Sequence, residues 1–440
     1  MRKSHLRLQS EVSMDSLVEM VRQKLLSLPD PRNRSISHTH HDIVMSGFAM
    51  FSLKYPSVNQ MQKQTQAEQH NLQSLYKIDR LCSDTHLRTV FDQTDPAPLR
   101  SLYAQGIDLL KKVGVLKEYA LPRMVRDKRY LICSIDGVKH FSSQEICCDN
   151  CQECEHSNGT ITYSHSMLCA ALVHPDQKEV FVMDTEPIVK QDGATKNDCE
   201  QNAAKRLLAA LAKSYKNYDL LVVEDALHAN APNLRNILGN DWQFMVNIKP
   251  DSHKSLFTAF EARKARGQCK VREYKDKKGV IHHFEYANNF ALNDSAADLR
   301  VNVLKYEQIS PNGKVKRFTW ATSIPLHARN VERLMKVGRS RWKIENETFN
   351  TLKNQGYHFE HNYGHGSNHL ATAFAFLMCL AFQVDQIFQR CSQLFKRIWT
   401  KAESKAKLWT VLKAIFSVNI IYSFKELYYT IAAQFFIQIE

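Results

Sequence analysis

A chain of 440 residues exceeds what one hydrophobic core usually organises and predicts about two or three domains. Hydrophobic residues at 44% and charged residues at 24% exclude wholesale disorder, while 14 glycines and 12 prolines exclude collagen-like and Pro-rich linker architectures. Lys and Arg number 59 against 45 Asp and Glu, and the net charge of +14 points toward a polyanionic partner, nucleic acid or anionic lipid.

The chain starts MRKSHLRLQSEVSMDSL, which is basic but lacks the apolar segment of a signal peptide. The 11 cysteines are therefore expected to be reduced thiols in a cytosol rather than a secreted disulfide framework. Residues 1–125 read as helical segments interrupted at Pro29-Asp30-Pro31, Pro56 and Asp95-Pro96-Ala97-Pro98. Strands then begin. Residues 130–135 (YLICSI) end in Asp136-Gly137, and residues 167–174 and 180–183 flank the turn at Pro175-Asp176. Helical spacing covers 198–214, and 220–223 (LLVV) form a buried strand ending in Glu224-Asp225. A helix follows Pro232, and 244–248 (FMVNI) make a fifth strand. Such an order is that of an α/β core.

From about 255 to 322 the pattern changes to alternating segments, VREY, GVIHHFEY, LRVNVLKYEQI and KRFTWAT, the last after the turn Pro311-Asn312-Gly313. They predict a β-rich insertion, after which helical spacing returns from 330 to the end. The most apolar run, 370–382 (LATAFAFLMCLAF), is shorter than the roughly 20 residues that span a bilayer, so a buried helix and no membrane partner are expected.

Asp136 closes the first strand and Asp225 the fourth. Side chains at the carboxyl ends of strands in an α/β sheet face the functional crevice. Hard divalent cations take oxygen ligands, so acids placed there suit metal-dependent phosphoryl transfer; each alone reads equally as a turn or helix cap. A third acid comes from residues 338–361 (GRSRWKIENETFNTLKNQGYHFEH), where helical spacing puts Arg341, Glu345, Phe349 and Leu352 on one face. A charged pair set among Trp342, Ile344 and Phe349 is not a solvated face, and it is compatible with a structural ion pair or with a site. Separately, Cys148, Cys151 and Cys154 recur at three-residue spacing with His156 close behind. Soft thiolates plus an imidazole make these the candidate ligands of a structural Zn²⁺, against a reading as reduced surface thiols.

The run Arg339-Ser340-Arg341-Trp342-Lys343-Ile344-Glu345 resembles the signature helix of bacterial insertion-sequence DDE transposases, ribonuclease-H-like enzymes whose third acid sits in a Tyr/Arg/Glu/Lys motif. Further segments resemble one branch of that family: SIDGVKHFSS (134–143), HSNGTITYSHSMLCAALVHPD (156–176), DGATKNDCEQNAAKRLL (192–208) and the Gly364-His365-Gly366 that trails the signature helix. SDTHLRTVFD (83–92) and PDPRNRSISH (29–38) are similar to its N-terminal region, so the resemblance spans roughly residues 30–385.

It implies an α/β fold with a ribonuclease-H-like mixed sheet flanked by helices, interrupted by a β-rich insertion, with helical N- and C-terminal regions. The division it implies is a DNA-binding region at 1–125, a catalytic core at 126–254, an insertion at 255–325, completion of the core at 326–385 and a helical C-terminal region at 386–440. Asp136, Asp225 and Glu345 then become the catalytic and metal-binding triad for two Mg²⁺ (or Mn²⁺) ions, and Arg341, Lys353 and Trp342 become DNA contacts. The implied partner is double-stranded DNA, both element ends and target, bound by a homodimer in the nucleoid of a bacterial cytoplasm. A metal-dependent nuclease without strand joining and an inactive DNA-binding relative are the alternatives. Two positions depart from the motif. Gly338 stands where the tyrosine is usual, and Lys353 comes one residue after the expected lysine, which leaves Glu347 as a rival third acid; spacing from Arg341 and Trp342 favours Glu345.

Overall fold

The computed structural model describes residues 12–33, 37–63, 65–125, 127–193 and 195–438; the basic start, residues 1–11, lies outside the described residues. The N-terminal part is helical: α1 (Met14–Leu26), α2 (His40–Ser52), α3 (Val58–Gln62), α4 (Gln66–Tyr76), α5 (Asp84–Gln93), α6 (Arg100–Lys112) and α7 (Leu116–Tyr119). The first five start where a hydroxyl can satisfy an orphan amide. Ser13, Thr39, Ser57, Thr65 and Ser83 each accept from the backbone N–H three residues on.

Next come β1 (Leu131–Ser143), β2 (Gln152–Glu155), β3 (Ile161–Val173) and β4 (Phe181–Ile188), then α8 (Lys196–Ser214), β5 (Leu220–Glu224), α9 (Ala231–Gly239) and β6 (Gln243–Asn247). β1 pairs antiparallel with β3 and parallel with β5, and β5 pairs parallel with β6. β2 and β4 share the far edge of β3, β2 along residues 161–164 and β4 along residues 166–172. The order β4-β3-β1-β5-β6, with the first three strands antiparallel and the next two parallel to β1, is the ribonuclease-H-like arrangement. The parallel strands are buried along nearly their whole length, which is why they read as short continuous apolar runs.

The insertion opens with α10 (Lys254–Ala265), a helix that the alternating pattern did not predict. Only Leu256 and Phe260 of it are buried, too few for an apolar stripe. β7 (Lys270–Lys275), β8 (Ile281–Ala291), β9 (Arg300–Ile309) and β10 (Val315–Thr322) form an antiparallel meander, and β10 pairs antiparallel with β6. The insertion therefore extends the ribonuclease-H-like sheet instead of standing apart from it, giving one ten-stranded sheet.

After it come α11 (Val331–Ser340), a π-helical stretch (Ile344–Phe349), α12 (Asn350–Asn354) and α13 (Leu370–Cys391), followed by α14 (Gln393–Ala402), α15 (Lys405–Val418) and α16 (Phe424–Gln434). α13 has 22 residues, longer than its apolar run suggested and long enough by length and composition to cross a membrane. Yet 89% of its most apolar window is buried inside the protein, against α2, α5, α6 and β4. It is the central helix of the core. Within it, Asp385 is paired with Lys54 from the N-terminal region at 2.5 Å, and both side chains are buried.

Candidate active site

β1 runs on to Ser143, so Asp136 lies within the strand rather than at its end as the sequence pattern suggested. The extension exists because β3 continues to pair with β1 beyond Asp136. On the opposite side the parallel pairing with β5 stops at Ser134, opposite Val223, and there the edge of β1 opens into a cleft of about 760 Å³. Asp136 and Asp225, which immediately follows β5, both line that cleft.

Glu345 arrives from the π-helical stretch, a helix irregularity that is frequent at functional sites. Arg341 joins it to the first acid. The guanidinium donates to Asp136 Oδ2 at 2.8 Å and, one helical turn on, to Glu345 Oε1. Burial pushes the Asp136 carboxyl up to about 6; the guanidinium of Arg341 opposes this, while the negative charges of Glu345 and Asp225 add to it. The three acids thus act on one another electrostatically. Glu347 faces another way, its charge acting on Lys343 and Lys405.

One cleft residue and a buried neighbour of it had no role assigned from the sequence. Glu200, on α8, lies so close to Gly137 that a Cβ at residue 137 would stand 3.3 Å from its carboxylate oxygen. His228 Nε2 sits 3.4 Å from Glu200 Oε1 and is almost fully buried. Burial alone would depress this imidazole, but Glu200, Glu224 and Asp225 raise it to about 9. Burial likewise lifts Glu224 to about 7. The signal for Glu200 was its place in the 192–208 segment; nothing local gave it a function.

Gly338, the departure from the tyrosine motif, has a steric cause. A Cβ there would lie 2.6 Å from the indole of Trp320 and 2.9 Å from Met245 Cε. Trp320 fills the space, 1% exposed and stacked on Phe318 with ring centroids 5.6 Å apart. Gly338→Ala is accordingly expected to cost about 1–3 kcal/mol by overpacking and clearly less in a Trp320→Leu background. Denaturant unfolding of the two single variants and the double variant measures that coupling.

Of the remaining predicted DNA contacts, Trp342 is 43% exposed and adjoins Arg339, whose guanidinium lies 5.3 Å over the Phe318 ring. Lys353 is held by Glu360 at 2.7 Å.

The zinc expectation needs correction. Cys148 and Cys151 do converge, but Cys154 and His156 do not join them. The β2–β3 hairpin carries Cys154 out to an exposed position and His156 to its tip, where the imidazole meets Thr162 Oγ1 at 2.7 Å. The returning strand brings His165 back level with Cys151, and His365 approaches from the segment after α12. Both histidines fell within segments singled out from the sequence, but 17 and 217 residues beyond Cys148, where spacing carries no signal.

A ribonuclease-H-like sheet with acids from β1, the end of β5 and a late helix is the architecture of the DDE class of nucleic-acid enzymes. The profile of the family described as transposase DDE domain matches residues 156–382, more than half of the chain, and the chain belongs to that family. No curated protein sequence matches it. Among solved structures, a piggyBac transposase synaptic complex with hairpin DNA is similar at 9% identity and a TM-score of 0.42, covering 98% of this chain and 80% of that one.

Proposed function

We propose that this transposase binds the terminal inverted repeats of an insertion sequence, cleaves the phosphodiester at the element ends and joins the freed 3′-hydroxyls to target DNA. The observation that carries this reading is Arg341 holding Asp136 and Glu345 together beside the cleft that Asp225 lines. The donor set fits divalent metal: three carboxylates offer only oxygen, the ligand atom that hard divalent cations take. Two Mg²⁺ or Mn²⁺ ions bound there supply activation of the attacking oxygen and stabilisation of the leaving one.

The side chains have separate tasks. Asp136, Asp225 and Glu345 hold the cations, and Arg341 fixes the first and third acids relative to each other. Trp342 and Lys353 contact DNA. Residues 1–125 read the element ends, 126–254 and 326–385 form the catalytic core, 255–325 handle the cut strands, and 386–440 are a helical C-terminal region. Two copies pair the ends in the nucleoid of a bacterial cytoplasm, and the net charge of +14 supports a polyanionic partner.

The test is a labelled duplex carrying the element's terminal repeat, incubated with Mg²⁺, Mn²⁺ or EDTA and then with target DNA. Metal-dependent nicking at the repeat boundary followed by joined product is the expected result. Nicking without joining makes the chain a nuclease, and binding without nicking makes it an inactive relative.

A further inference from the structure

We infer that Cys148, Cys151, His165 and His365 form a structural zinc site, distinct from the carboxylate cleft, that staples the segment following the third acid to the strands that follow the first. The geometry comes first. Cys148 Sγ and Cys151 Sγ are 3.9 Å apart, each lies 3.5 Å from His165 Nε2, and Cys151 Sγ lies 3.7 Å from His365 Nε2. All four ligand atoms fall within 4.8 Å of one another. A tetrahedral Zn²⁺ with bonds of about 2.3 Å to sulfur and about 2.0–2.1 Å to nitrogen has edges of roughly 3.8 Å between sulfurs and roughly 3.5 Å between sulfur and nitrogen. The four edges through Cys148, Cys151 and His165, and from Cys151 to His365, come within about 0.2 Å of that tetrahedron, and the remaining pairs lie within 4.8 Å.

Ligand chemistry agrees. Two thiolates and two imidazoles are a soft set that selects zinc over magnesium, the reverse of the all-carboxylate cleft. A closed set of four protein ligands leaves no open position, which marks a structural rather than a catalytic site. The surroundings are suitably dry. Cys151 and His165 are buried, the Phe141 ring lies 4.6 Å from His365, and His140 stacks on His165 at 6.0 Å. The two cysteines come from one turn, with the Cys151 amide donating to the Cys148 carbonyl, an arrangement that presents both sulfurs to one point.

What the site joins gives it its consequence. Cys148 and Cys151 lie in the loop after β1, the strand of Asp136, and His165 lies on β3. His365 lies between α12 and α13, downstream of Glu345. Immediately after it, Asp92 of α5 accepts the backbone amides of Ser367, Asn368, His369 and Leu370, which ties the chain entering α13 to α5. The residues around His365 are thereby anchored on one side by Asp92 and on the other by the metal. Closing a loop as long as that between Cys151 and His365 is entropically costly in the unfolded chain, so a bond across it favours the folded state.

The test is the metal content of the full-length protein, purified from zinc-supplemented cells and dialysed against EDTA. A full equivalent of zinc is expected in wild type and in Asp136→Ala, whose cleavage site is disabled, so the result is separate from the outcome of the cleavage assay. Cys151→Ser and His365→Ala are expected to fall to background, while Cys154→Ala and His156→Ala retain the metal. Should a ligand variant fail to fold, wild type refolded with Co²⁺ gives a second readout. Intense d–d bands of tetrahedral cobalt with thiolate charge transfer support the site, and weak octahedral bands overturn it. Absence of zinc from wild type, or its loss from Cys154→Ala in place of Cys151→Ser, also overturns the proposal.

Discussion

Alanine at Asp136, Asp225 or Glu345 is expected to lower metal-dependent cleavage by at least about a thousandfold, a loss of roughly 4 kcal/mol of transition-state stabilisation, whereas Glu347→Ala stays within a few fold of wild type. The asymmetry follows from orientation. Glu345 shares Arg341 with Asp136, while the charge of Glu347 is directed at Lys343 and Lys405. If Glu347→Ala abolishes cleavage and Glu345→Ala does not, the third acid is the wrong one. A pH dependence accompanies this. The Asp136 carboxyl titrates near 6, so at limiting metal the proton competes with the cation and cleavage falls as pH drops through 6. For stability the sign is opposite. The folded-state value is raised above the ordinary 3.8, so the ionised form opposes folding, and the metal-free protein gains from this group as pH falls through 6. Asp136→Asn should accordingly abolish cleavage without lowering the metal-free melting temperature at neutral pH, which calorimetry in EDTA measures.

The second large effect lies in the core. Breaking the Lys54–Asp385 pair from one side, by Asp385→Ala or Lys54→Met, is expected to cost about 3–5 kcal/mol because the surviving charge stays buried and uncompensated. Asp385 also accepts from the Tyr357 hydroxyl at 2.6 Å, and Lys54 Nζ stands 4.3 Å over the Trp409 ring and 4.8 Å over that of Tyr357. Four segments distant in sequence thus meet at one cation. Burial depresses the Lys54 pKa and Asp385 opposes that depression, so removing Asp385 leaves only the unfavourable contribution. Lys54→Met with Asp385→Leu should recover much of the loss. Urea unfolding of the three variants decides it. Equal losses in single and double variants would mean that packing volume, not charge, matters there.

The strands of the catalytic sheet were legible because parallel, doubly covered strands are short apolar runs, as at 220–223 and 244–248. The length of β1 was not, since Asp136-Gly137 imitates a turn and the rest of the strand, VKHFSS, mixes buried and exposed residues. α10 escaped because its two buried residues make no stripe. Within the candidate site, the i, i+4 spacing of Arg341 and Glu345 announced their contact, but local pattern alone allowed an ordinary ion pair; the resemblance distinguished the two. The metal-ligating set was half legible. Two cysteines three residues apart are visible along a chain, while a hairpin return and a contact across the fold are not. Gly338 needed Trp320, 18 residues earlier, for its explanation.

Continuity of the sheet has a mechanical consequence. Trp320 belongs to β10, which is hydrogen-bonded to β6 on one side and β9 on the other, and its indole bears directly on the backbone of α11 at Gly338. That helix leads within a few residues to Arg341 and Glu345. Strand β10, the Trp320 ring and α11 thus stand in series between β9 and the turn and π-helical stretch that carry Arg341 and Glu345. On the proposed function, a load that DNA placed on the insertion would reach the third acid through that one tryptophan, which makes Trp320 the mechanical link between the two parts.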